Sequence, residues 1–342
     1  MNKSTKMVII VAIIIVIAIL ILGITMKPKN NNKTGKLNIV ATTFSTYDFS
    51  KQIVGDNAEV TFLLGPGVDA HSYDPSSADI IKIQNADVFI YIGGEMEKWV
   101  DKILDTGIID ENKTTLIKVT ESVETIEEKE VDGAEEEHHH EENEEEEDEH
   151  HHDESEDEKE EHHHEEGAFD EHIWSSPKNA IKMVKYLSNK FSEIDEKNKE
   201  IYNKNAEEYI EKIKNVQAKI QEIVDNKKRN RLVFGDKMPM QYFIEEYGLT
   251  ASAAFNGCST ETEPSAKTIT YLINKVKEEN IPVVLYIELS AGKTAKAIAQ
   301  ETGAKTMQIQ TLHNVSKEDF ENGETYVSLM MRNLEILKYA LQ

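Results

Sequence analysis

The sequence predicts an α/β protein: two lobes with mainly parallel sheets, joined by a long rigid linking helix. Three observations carry this reading. Apolar runs of strand length alternate with amphipathic helical stretches near the start of the chain, and strand–helix alternation is the signature of a parallel sheet. The same alternation resumes from Arg231 onward. Between the two lies Asp195–Asn226, which keeps apolar residues at helical spacing and contains neither Pro nor Gly.

The first lobe opens with the apolar run Leu37–Thr42, followed by a helix over Thr46–Val54 and a strand over Ala58–Leu64. Ser76–Gln84 reads as a helix, and Asp87–Gly93 as a strand buried on both faces because its apolar residues run without alternation. A helix over Met96–Leu104 and a strand over Thr115–Val119 complete it. Asn179–Phe191 is an amphipathic helix. The stretch Asp195–Asn226 carries Ile201, Tyr202, Tyr209, Ile213, Val216, Ile220 and Val224 along one face, and unbroken it would run about 48 Å. In the second lobe, strands over Leu232–Gly235, Leu249–Ala254, Pro282–Ile287 and Lys305–Gln310 alternate with helices over Gln241–Tyr247, Ser265–Asn280 and Lys293–Thr302. Tyr326–Leu341 closes the chain as a helix. The resulting organisation is a 1–26 anchor or signal, a 27–36 spacer, a 37–176 N-terminal lobe, 177–229 linking helices and a 230–342 C-terminal lobe.

Two segments stand outside this pattern. Met7–Ile24 is apolar, uncharged and long enough to span a bilayer, with Lys3 and Lys6 before it. It reads as an uncleaved membrane anchor or a cleaved export signal, which places the rest of the chain on the extracytoplasmic face. No Cys follows the run, which excludes a lipoprotein anchor. The second segment, 127–166, holds 24 acidic residues against only Lys129 and Lys159, so it contributes most of the net charge of −26. With almost no apolar side chains it is expected to be disordered. His triplets at 138–140, 150–152 and 162–164 recur within it every twelve residues; imidazoles among carboxylates make it a metal-gathering loop.

Charge and composition exclude several functions. No basic patch offsets the acidity, so nucleic acid is not a partner. The single Cys rules out a disulfide framework and a multi-Cys zinc module. There is no nucleophile–base constellation and no Gly-rich phosphate loop, which argues against an enzyme. Outside the loop only His71, His172 and His313 remain. His71 lies in the Gly- and Pro-rich turn GPGVDAHSYDP after a strand, and His313 also follows a strand, at the sheet edge where open α/β folds bind ligands. His172 sits in DEHIWSSP just before a helix. Three such histidines point to one shared metal site.

The run GPGVDAHSYDPS followed later by DEHIWSSP resembles the metal-binding receptors of bacterial ABC importers for zinc and manganese, the cluster A-I solute-binding proteins of zinc-receptor type. The likeness extends over about residues 37–342. It implies two α/β lobes, a rigid linking helix, a metal in the cleft between the lobes, and an ABC permease as membrane partner of a monomeric receptor. The His-rich insertion before the second motif also fits that family. His71 and His172 carry over as N-lobe ligands. The C-lobe motif that usually supplies a ligand reads Val233–Phe243 here without any His, leaving Asp236 as the nearest candidate, and His313 stands where a further ligand follows the last strand. The expected set is therefore His71, His172, His313 and Asp236 around Zn²⁺, with Mn²⁺ as the alternative ion. A surface adhesin or metal buffer, and more remotely a zinc hydrolase using Glu288 or Glu263 as base, are the rival functions. Cys258 reads either as a thiolate ligand or as a small half-buried turn residue. Glu288 is a candidate partner for an imidazole, and Trp99 and Trp174 are expected to be packing residues.

Overall fold

A computed structural model describes residues 35–134, 169–259 and 263–342. The apolar run 7–24 and the His triplets of the acidic segment therefore lie outside the described residues; among those that are described, no helix is long and apolar enough to cross a membrane. Leu37–Gln342 packs as one unit, with two four-stranded parallel sheets inside it.

The first sheet is built from β1 (Leu37–Ala41), β2 (Ala58–Phe62), β3 (Val88–Tyr91) and β4 (Thr115–Lys118), in the order β2-β1-β3-β4. Every residue of β3 is buried, as its unbroken apolar run requires. The helices α1 (Phe44–Val54), α2 (Ser77–Gln84) and α3 (Lys98–Asp105) cover this sheet. Two long helices follow, α4 (Pro177–Ile194) and α5 (Lys199–Asp225). The second sheet comprises β5 (Arg231–Met238), β6 (Thr250–Asn256), β7 (Val283–Ile287) and β8 (Lys305–Ile309), in the order β6-β5-β7-β8. Its helices are α6 (Gln241–Glu246), α7 (Ala266–Glu278), α8 (Lys293–Thr302), the short α9 (Lys317–Glu321) and α10 (Tyr326–Leu341). Each sheet thus has its first strand flanked by the second and third, with the strand order reversing at that first strand.

The helix α5 packs against α4, α1 and α10, so it touches both lobes, as its length suggested. Its buried face is Tyr202, Ala206, Tyr209, Ile210, Ile213, Val216, Ile220 and Val224. It starts later than the apolar spacing implied, because Asp195 accepts hydrogen bonds from Asn198 Nδ2 and Tyr202 Oη (both 2.8 Å) and winds Glu196–Asn198 into a 3₁₀ turn. The 27 residues of α5 still span about 40 Å.

The acidic segment departs from the expectation of disorder at its start. Residues 127–134 are ordered along the C-lobe: Ala253 donates its amide to the Asp132 carbonyl (3.0 Å), and Val131 donates to Asn256 Oδ1 (3.0 Å). Lys129 N–H donates to Gln241 Oε1, whose Nε2 returns a bond to the Glu127 carbonyl. Backbone amides find partners here at the sheet edge, and Val131 packs on the core; neither source of order is visible in a composition.

Candidate metal centre

The three histidines outside the acidic segment come together. One ligand atom from each of His71, His172 and His313 lies within 4.8 Å of the other two, and the ring centroids are 4.8–5.5 Å apart. They arrive from three directions. His71 follows β2 on a 3₁₀ turn that Asp69 caps by accepting the His71 amide (2.9 Å). His172 precedes α4, and His313 follows β8.

Each imidazole is held by its surroundings. Asp170 Oδ1 accepts both the amide (2.7 Å) and Nδ1 (3.1 Å) of His172. With the proton on Nδ1, the lone pair sits on Nε2. That atom is fully buried and has no hydrogen-bond partner among the described residues, a state that burial penalises unless something else occupies the acceptor. His71 Nε2 is likewise buried and unpartnered. The Trp174 ring stacks on His313 at 5.7 Å and meets His172 edge-on, while its indole N–H donates to the Thr311 carbonyl (3.1 Å). His313 Nε2 lies 3.0 Å from the Met96 sulfur. Burial, followed by the neighbouring His172, pulls the His71 pKa down to about 3, and burial with His71 nearby takes His313 well below the usual imidazole range. Burial acts the same way on His172, but Asp170 outweighs it and the net shift is upward. At neutral pH two of the three rings are held as neutral nitrogen donors, the form a metal takes.

Asp236 does not join them. Its strand runs on to Met238, past the Gly235 end expected from sequence, and a register shift falls between Phe234 and Lys237. Asp236 instead lines a recess of about 180 Å³ with Phe255 and the start of α8, and its Oδ1 accepts the Lys237 amide. From that strand end it is Lys237 that approaches the His71 turn, pairing with Asp69 at 3.7 Å. Gly235 packs so closely on α8 that a Cβ would come 2.4 Å from the Ala295 Cα. Glu288 does not touch an imidazole either: its carboxylate accepts the Thr311 amide (2.9 Å) and hydroxyl, fixing the loop that carries His313.

Reading the sequence alone missed Glu171 and Met96, and took Trp174 for packing only. Both Glu171 oxygens accept the Met96 amide (2.8 and 3.0 Å), and burial raises the Glu171 pKa to about 7. A carboxylate oxygen of Glu171, Cys258 Sγ and a ligand atom of His71 form a second convergent group within 4.8 Å. The acidic DEH run was a signal for Glu171; nothing local marks a Met or Trp as part of a site.

The donor chemistry fits a borderline-soft divalent ion: at least three imidazoles, carboxylates at their backs, and an aromatic wall excluding water. Comparison with known proteins agrees. The family model described as "ZnuA: Zinc-uptake complex component A periplasmic" matches residues 39–340. The zinc-binding lipoprotein AdcA of Streptococcus pneumoniae (strain ATCC BAA-255 / R6) is 34% identical over 304 residues, 89% of this chain but 56% of AdcA, so the chain spans little more than half the length of that relative. The high-affinity zinc uptake system protein ZnuA of Bacillus subtilis (strain 168) is 33% identical over 315 residues, covering 92% of this chain and 91% of the relative. Among solved structures, the Zn(II)-bound ZnuA-like domain of S. pneumoniae AdcA superposes with a TM-score of 0.69 at 32% identity, over 90% of this chain and 99% of that domain. With two parallel-sheet lobes, three converging histidines and these matches, the chain belongs to the family of zinc-uptake complex component A.

Proposed function

We propose that the protein is an extracytoplasmic receptor that binds Zn²⁺ between its lobes through His71, His172 and His313 and delivers it to the permease of an ABC importer. The single observation that carries this is the convergence of three imidazoles, with His172 Nε2 buried and unpartnered among the described residues. Zinc is the cargo. Neutral nitrogen donors favour it over a hard ion such as Mn²⁺, which prefers oxygen. Asp170 fixes the His172 tautomer and, with Glu171, sets negative charge behind the ligands. No reaction is assigned to the site. The receptor acts as a monomer tethered or exported through residues 7–24, and the His triplets of 135–166 raise the local zinc concentration at the cleft.

Calorimetric titration of zinc and manganese into the full chain, a His71→Ala/His172→Ala variant and a 135–166 deletion tests the reading. One tight zinc site that survives the deletion and disappears in the double variant supports it. Loss of all tight binding with the deletion would leave a metal buffer or adhesin. Manganese binding tighter than zinc would keep the receptor and overturn the ion.

A further inference from the structure

The chain holds one cysteine, and among the described residues it converges with Glu171 and with His71, the one histidine that both groups share. Cys258 sits in the turn that follows β6, at the same carboxyl edge of the C-lobe sheet as His313. Its Sγ lies within 4.8 Å of a ligand atom of His71 and of a Glu171 oxygen, so His71 belongs to both convergent groups. A second observation points to the same spot. Gly257, the residue before it, is packed against His172: a Cβ there would lie 3.4 Å from His172 Cε1, the ring carbon bonded to the open Nε2. That nitrogen is fully buried and lacks a partner among the described residues.

We propose that Cys258 is the fourth ligand, giving the bound zinc an N₃S set of His71, His172, His313 and the Cys258 sulfur. The inference rests on the reading of the three imidazoles as the zinc site and adds the ligand that Asp236 does not supply. Tetrahedral zinc, with bonds of about 2.0–2.1 Å to nitrogen and about 2.3 Å to sulfur, needs ligand atoms roughly 3.3–3.6 Å apart, so the ion draws the group inward. Glu171 is the less suitable fourth ligand. Both its oxygens already accept the Met96 amide, and its side chain is wedged under Gly94, where a Cβ would come within 2.4 Å of Oε1. Sulfur also brings discrimination, since a soft thiolate favours zinc over manganese more strongly than a carboxylate does. In the binding step the S–H bond breaks, the sulfur keeps the electron pair and donates it to the ion, and the proton leaves to solvent.

The test uses Co²⁺ as a spectroscopic stand-in, added at one equivalent to the reduced full chain. A cobalt–thiolate bond gives an intense near-ultraviolet charge-transfer band, which the imidazoles and carboxylates of the His-rich segment cannot produce. The lone cysteine makes its assignment unique. The expected result is that band in the wild type, its loss in Cys258→Ser and in His71→Ala, and a zinc affinity for Cys258→Ser lower by at least the order of 10–100-fold seen for ligand-supporting groups. Visible d–d bands persisting in Cys258→Ser would show that the imidazoles still hold the ion. One-to-one cobalt binding with no charge-transfer band, and unchanged zinc affinity in Cys258→Ser, would overturn the sulfur ligand and leave the receptor reading standing. A band that survives His71→Ala would place the sulfur–metal bond elsewhere and overturn it too. Absence of one-to-one binding in the wild type would remove both readings. The wild-type spectrum decides even if a variant fails to fold.

Discussion

At the scale of single residues, the carboxylate of Asp170 chooses which nitrogen of His172 faces the site. It accepts from both the amide and Nδ1 of the same residue, so it fixes ring position and tautomer together. Asp170→Asn keeps the shape but removes the charge that favours the Nδ1 proton. We expect zinc affinity to fall on the order of 10–100-fold, as for other carboxylates that back a metal-bound imidazole, with the far-ultraviolet dichroism unchanged; calorimetry measures the first, and an unaltered affinity would show that the tautomer is set by something else. The histidines were legible because each stands in a motif at a strand end or helix start, where chemistry and topology coincide. Asp236 stands apart from the histidines for a reason no spacing reveals: after a register shift at the end of β5, Lys237 approaches the His71 turn while Asp236 lines the recess at the start of α8. Trp174 and Met96 were illegible because an apolar side chain beside a metal looks, in a sequence, like one in a core.

At the scale of elements, most boundaries followed from periodicity. Those that did not were set by polar side chains. The short α9 has no apolar periodicity; its only sequence signal is Ser316, which caps the Asp319 amide (3.0 Å). Glu97 does similar work at the other lobe. Fully enclosed, it accepts the amides of Ile92 (2.6 Å) and Gly93 (2.8 Å) just past β3, tying that strand end to the start of α3. Burial, working against those hydrogen bonds, raises its pKa from 4.5 to about 7. The folded chain therefore keeps a proton that the unfolded chain has released, and stability is full below pH 4.5 and declines as pH rises toward 7. Glu97→Gln, which has no proton to lose, should be free of this decline. Its stability relative to wild type should climb by about 3 kcal/mol between pH 4.5 and 7 and then level off. Denaturant melts of the two proteins across that range check it; parallel curves would mean that Glu97 titrates as it does in the unfolded chain.

At the scale of the molecule, the two lobes are tied together around the metal centre and behind it. Behind, Asp48 of α1 accepts from Tyr209 Oη on α5 (2.5 Å) and from the Tyr326 amide at the start of α10 (3.0 Å), while Tyr326 Oη donates to the Trp174 carbonyl (2.9 Å). In front, the Gly67 amide donates to the Val315 carbonyl (2.8 Å), and Asn314 Nδ2 donates to the Gly65 (3.3 Å) and Val68 carbonyls. The rear ties are buried and bound up with the long helix. The front ties join the partly exposed turn that carries His71 to the buried loop that carries His313. Wide lobe rotation would break both sets, whereas parting the front loops breaks only the second and still separates two of the ligands. Parting the front loops is therefore enough to open the histidine cluster, and Asn314 is the clasp between them. Asn314→Ala removes its bonds without touching a ligand. Because the ligands are intact, the affinity loss should appear mainly as faster dissociation, on the order of tenfold for the roughly 1–1.5 kcal/mol of net hydrogen bonding removed. The rear ties should keep the melting temperature within a few degrees of wild type. Stopped-flow release of zinc into a chelator reads the rate directly. An unchanged rate with normal folding would place the gate elsewhere, and the opening motion would then have to be sought at the rear ties, beginning with Tyr209→Phe.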